Sequence, residues 1–164
     1  MNKEHVLILG VGNVLMGDEG VGIHAVRRLE QVLFLPRVRL VDGGTGGFHL
    51  LPLFDECESI VMIDATMDGQ LLGTVSVIEP RFASDFPKAL SAHDIGLRDL
   101  VESAALLDSL PKTYLVTVSI AEMQPMCMEL SEKVRDSLPA VERAVRAILE
   151  NKTTETPRNQ RPAL

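Results

Sequence analysis

Two acidic side chains stand together at the end of a glycine-rich turn, Gly10-Val11-Gly12-Asn13-Val14-Leu15-Met16-Gly17-Asp18-Glu19. The turn follows a short apolar run at 6–9 and precedes Ile23, Val26, Leu29 and Leu33 at helical spacing, so it joins a strand to a helix. Dinucleotide and phosphate loops occupy this place, but here the charge has the opposite sign. The dinucleotide fingerprint needs its third glycine at position 15, which is leucine. Gly12 and Gly17 have P-loop spacing, yet Asp18-Glu19 stands where Lys-Ser/Thr should follow. A pyrophosphate at this helix start would meet two carboxylates, so the turn suits a cation. The plainer role for the pair is to cap the helix and complement its dipole.

Two further candidates follow other strands. The apolar run 60–63 leads into Asp64-Ala65-Thr66, which puts a carboxylate just beyond a strand, where it would also serve as an ordinary turn residue. His93 stands in the entry turn of a second helical pattern, where the positive helix end keeps an imidazole neutral and able to bind a metal. Glu19, Asp64 and His93 could converge at the carboxyl edge of one sheet. They would supply two oxygens and a nitrogen and leave open positions, a set suited to nickel or zinc. Asp42-Gly43-Gly44-Thr45-Gly46-Gly47 lets backbone approach closely, so an extended peptide could lie against it, or it is simply a turn. His5, His24 and His49 read as surface or satisfied residues, and Met123, Met126, Cys127 and Met128 as sulfur-rich packing rather than a copper site.

The elements that must position these groups are legible as patterns. Apolar runs at 6–9, 38–41, 60–63, 74–78 and 114–120 predict five strands. Between and after them, Leu97, Leu100, Val101, Ala104 and Leu107 form one amphipathic face and Val134, Leu138, Val141, Val145 and Leu149 another. Strands alternating with helices imply an α/β three-layer sandwich, with a mostly parallel, twisted sheet of about five strands and helices on both faces. The crevice beyond the carboxyl ends of its strands is then the place for a site. The 164 residues fit one domain, expected over 1–152, with 153–164 as a flexible tail poor in large apolar residues. Sixteen Lys plus Arg against twenty-three Asp plus Glu give a net charge of −7, the wrong field for nucleic acid or anionic lipid. Two cysteines make no disulfide framework, and no apolar stretch approaches membrane-span length, so a cytoplasmic protein that does not enter the membrane is expected. The charge also favours a monomer.

Taken together, Gly10-Val11-Gly12-Asn13, Asp18-Glu19-Gly20, Asp42-Gly43-Gly44-Thr45, Asp64-Ala65 and residues 91–97 resemble, in order, the motifs of the endopeptidases that mature NiFe hydrogenases. The resemblance runs from about residue 5 to about 150. It implies a nickel-dependent endopeptidase that removes the C-terminal extension of a hydrogenase large-subunit precursor once nickel is inserted. Glu19, Asp64 and His93 would contact nickel presented by the substrate, a site that other divalent ions can also fill. Asp64 or Glu19 could also act as general base in an aspartic-type manner. Asp42, with Gly43, Gly44 and Thr45, would position substrate or serve local structure. The chain departs from the family at Ala121, Glu129 and Glu132, where a proline, a glycine and a proline are usual. A nickel-binding chaperone that docks the precursor without cutting and a nucleotide-binding module are the rival readings.

Overall fold

A computed structural model describes residues 4–87, 97–108 and 110–155 of the chain. Strands β1 (Glu4–Gly10), β2 (Val38–Asp42), β3 (Cys57–Thr66), β4 (Val75–Ile78) and β5 (Lys112–Ser119) form one sheet in the order β2-β1-β3-β5-β4. The first four in that order run parallel, and β4 pairs antiparallel with β5 at the edge. Strand side chains alternate between faces, and in β1 both sets are buried. Val6 and Ile8 pack with Val61, Ile63, Val116 and Val118 beneath α1 (Val21–Val32) and α4 (Glu132–Glu155). Leu7 and Leu9 pack with Ile60, Met62 and Leu115 beneath α2 (Leu51–Asp55) and α3 (Leu97–Leu106). The expected α/β arrangement, with helices on both faces, is therefore present.

A strand buried on both faces needs continuous apolar sequence, which is why β1 and β3 stand out so plainly in the chain. Helix α1 instead carries a single buried stripe, Ile23, Val26 and Leu29, until Leu33 and Pro36 take the chain out of the helix. Glu142 ties the outer layer together. Its carboxylate accepts hydrogen bonds from Arg28 of α1 at 3.2 Å and from Arg146 at 3.0 Å.

Three details differ from the sequence expectations. Asp64 lies inside β3 rather than beyond it, because β5 keeps pairing with β3 as far as Thr66 opposite Ser119. Helix α2 has no long periodic pattern and rests on the burial of Leu50 and Phe54. The expected tail falls largely on residues 156–164, outside the described residues, and α4 itself reaches Glu155.

Candidate active site

The apolar row on the α2 and α3 side of the sheet turns polar at the carboxyl edge. By alternation, Met62 of β3 is followed on that face by Asp64 and Thr66, and Leu115 of β5 by Thr117 and Ser119. All four polar residues are buried, and Asp64 lies opposite Thr117 in the ladder. Asp64 itself is 0% exposed, and its Oδ1 accepts the Ala65 N–H at 2.8 Å. A carboxylate in such surroundings is stable only when it is paired, hydrogen-bonded or bound to a metal.

The second carboxylate arrives from the first turn, which closes onto the end of β3. Val11 N–H donates to the Ile63 carbonyl at 3.0 Å, and the short 3-10 turn Gly17–Gly20 packs against β3. The approach is made by backbone alone. A Cβ on Gly10 would run into the Gly22 carbonyl and the Val26 side chain. One on Gly22 would run into the carbonyl oxygens of Ile63 and Val11, and one on Gly12 into that of Glu19. Glycine is required here for close crossing, and the result is that Glu19 and Asp64 come from segments in direct contact.

Glu19 is 2% exposed, and its Oε2 accepts the Asn13 N–H at 2.7 Å. The N-cap of α1 is Gly20, with no side-chain capping bond, so neither acid of the pair caps that helix as its simplest reading supposed. Asp18 points elsewhere. Its Oδ1 accepts the Ser131 N–H at 2.7 Å, and its Oδ2 accepts the Ser131 hydroxyl at 2.8 Å and the Gln124 amide at 3.2 Å. Gln124 Oε1 in turn accepts the Asp18 N–H at 2.9 Å. Thus the adjacent acids divide: Asp18 is consumed in tying segments together, and Glu19 faces the interior beside β3. Ser131 keeps this bond although Glu129 and Glu132, which flank the Leu130-Ser131 pair, depart from the family pattern.

The second glycine loop is joined to the first. Gly12 N–H donates to the Gly44 carbonyl at 2.9 Å, and Gly43 N–H to Gly10 at 2.8 Å. Asp42 Oδ1 closes its own turn by accepting the Gly44 N–H at 2.9 Å, while Oδ2 meets Arg27 at 3.3 Å. Gly44 and Thr45 are exposed and Gly43 is buried. His93 lies outside the described residues. Among the described residues, no three His, Cys, Asp or Glu side chains group to hold a metal.

Two readings of the sequence are corrected. Met126 and Met128 are 90% and 63% exposed, so they do not serve as packing. Both sit on a segment whose backbone is already occupied, since Cys127 N–H donates to Leu15 and the Cys127 carbonyl accepts from Gly17. His24 is half-buried and only partly satisfied, its ring sharing one hydrogen bond with the Met128 backbone. Its Nε2 is buried without a hydrogen-bond partner, and burial, then the charge of Arg27, holds the ring below its ordinary pKa. A cavity of about 290 Å³ lined by His24, Met128, Glu129 and Arg135 lies beside it.

A mostly parallel sheet with two buried carboxylates at its carboxyl edge is an α/β arrangement whose candidate site lies at the edge where such folds commonly bind ligands. The family model described as hydrogenase maturation protease matches residues 23–151. The chain is 36% identical over 164 residues to the hydrogenase expression/formation protein HupM of Azotobacter chroococcum, covering 96% of this chain and 78% of that one. It is 30% identical to the hydrogenase 2 maturation protease of Escherichia coli, covering 93% and 96%. A shorter match, 40% identical to HupD of Rhodobacter capsulatus, spans 53% of that protein. The solved hydrogenase maturating endopeptidase HybD of E. coli superposes with a TM-score of 0.79 at 30% identity, over 90% of this chain and 93% of that one. The chain belongs to the hydrogenase maturation protease family and is a peptide hydrolase. Among the described residues, no helix is long and apolar enough to cross a membrane.

Proposed function

We propose that this protein removes a C-terminal extension from a NiFe-hydrogenase large-subunit precursor after nickel insertion, with nickel carried by the precursor as the element that is recognised. The observation that carries this reading is the pair of buried carboxylates, Glu19 and Asp64, held on two segments in contact at the carboxyl edge. Two anionic oxygens fit a divalent ion, and His93, from the stretch leading into α3, would add the nitrogen donor. Nickel bound there supplies Lewis acidity toward the scissile carbonyl or toward a water. Glu19 and Asp64 orient the cluster that arrives with the substrate, and whichever carboxylate is not ligating accepts a proton during attack. Asp42, Gly43, Gly44 and Thr45 border the same edge; the N–H groups of Gly43 and Gly44 are spent within the fold, so an extended peptide would lie across the exposed Gly44-Thr45 tip rather than pair with those groups. The protein works in the cytoplasm as a monomer.

The test is mass spectrometry of nickel-loaded and nickel-free precursor after incubation with the protein. Loss of a C-terminal peptide from the loaded form alone is the expected result. Equal cutting of both forms would refute the nickel requirement, and an uncut loaded precursor would refute the cleavage.

A further inference from the structure

Asp18 is buried, 1% exposed, and both of its carboxylate oxygens accept from the segment that follows β5. A buried carboxylate with charge-assisted hydrogen bonds on both oxygens is among the firmer non-covalent ties available to a chain. The segment it grips holds the preceding loop as well. Gly17 N–H donates to Cys127 at 2.7 Å, Cys127 N–H to Leu15 at 3.2 Å and Gln124 N–H to Met16 at 3.2 Å. Gly17 takes a φ of 61°, and a Cβ there would collide with the Gln124 side chain, so the amide lies directly over the turn. Ser131 immediately precedes α4, and its carbonyl accepts the Arg135 N–H at 2.9 Å, which places the Asp18 charge at the positive end of a long helix. Residue 19, immediately after this anchored point, is the candidate ligand.

We infer that Asp18, through Gln124 and Ser131, is a positioning residue that sets where the Glu19 carboxylate sits. The inference rests on the role proposed above for Glu19. Side chains that orient ligands from behind commonly change metal affinity or activity by about 10–100-fold when removed. Asp18→Asn keeps the size but puts an N–H group where the Ser131 hydroxyl and the Gln124 amide donate; the hydroxyl can turn to accept, but the Gln124 amide cannot while its Oε1 holds the Asp18 N–H, so that bond and the carboxylate charge are lost.

The experiment measures kcat and KM for nickel-loaded precursor, nickel chloride affinity of the full chain by calorimetry, and thermal melting, for Asp18→Asn, Ser131→Ala, Ser131→Thr and Glu19→Gln. Asp18→Asn is expected to lower kcat about 10–100-fold and weaken nickel binding, with KM nearly unchanged. Ser131→Ala should lower kcat less, and Ser131→Thr, which keeps the hydroxyl, should restore it. A folded Asp18→Asn with unaltered kcat and nickel affinity would overturn the positioning role, as would equal rates for Ser131→Ala and Ser131→Thr. Should Asp18→Asn not fold, the Ser131 pair decides. Glu19→Gln keeps the two readings apart: full activity there removes Glu19 from the reaction and Asp18's role with it. If Glu19→Gln is inactive while Asp18→Asn is intact, only the positioning role falls.

Discussion

Replacing Gly22 by alanine tests whether backbone crossing, rather than side-chain packing, sets the site. Inside a helix the exchange favours alanine by about 1 kcal/mol. Against this, the new methyl meets the carbonyl oxygens of Ile63 and Val11 and lies 2.9 Å from Val11 N. Overpacking of a tight site costs about 1–3 kcal/mol. The obstructed Val11 to Ile63 hydrogen bond, if opened while buried, costs about 1–3 kcal/mol more. The net loss is about 1–5 kcal/mol, centred near 3. For a chain of this length each kcal/mol moves Tm by about 2–4 °C, so melting should fall by about 6–12 °C. The same displacement moves α1 and the Gly17–Gly20 turn away from β3. A misplacement of about 1 Å at a reacting centre is worth about 100-fold in rate. Gly69→Ala is the control: it has φ 76° and open space, so strain of about 1–2 kcal/mol is its only cost and processing should be untouched. Differential scanning fluorimetry and timed mass spectrometry of the precursor read both quantities. A Gly22→Ala protein that melts and cuts like the parent would refute the claim that this crossing fixes the site.

Asp64→Asn should abolish processing, by at least about 100-fold, at unchanged circular dichroism, and a variant that cuts normally would remove Asp64 from the chemistry. His24 gives a pH signature. Above its ordinary pKa of 6.5 folded and unfolded chains both hold the ring neutral, whereas below it the unfolded chain binds a proton that the folded one resists. Stability should therefore fall as pH drops below 6.5, until the lowered folded value is passed, and His24→Gln should flatten that part of a urea-midpoint profile. Leu29→Ala, at a 1% exposed position of α1, should cost about 2–5 kcal/mol in chemical denaturation while processing at low temperature persists.

The five strands and the stripes of α1, α3 and α4 are legible in sequence because burial imposes period on the chain. From sequence Asp64 reads as lying just beyond its strand, whereas β3 runs two residues past it, since sequence does not say how long a neighbouring strand will keep pairing. The division of labour between Asp18 and Glu19 was not legible. Asp18's partners lie 106 and 113 residues away, and no local spacing encodes that contact. A cue existed in Gly17, which is needed both for the left-handed turn and for the amide of Gln124 above it. The exposure of the methionines is hidden from sequence for a related reason: composition suggests burial, but the backbone of 124–127 is pinned to the first turn and carries Met126, at φ 60°, outward.

The two cysteines differ in reach. Cys57 is 3% exposed, whereas Cys127 is only partly buried and is tied through its backbone to Leu15 and Gly17. A maleimide added to the native protein should therefore mark one thiol and spare the other until unfolding. A fluorophore or spin label placed that way would sit four residues from Ser131 and report on the turn that carries Glu19, with no engineered cysteine needed to watch a precursor arrive.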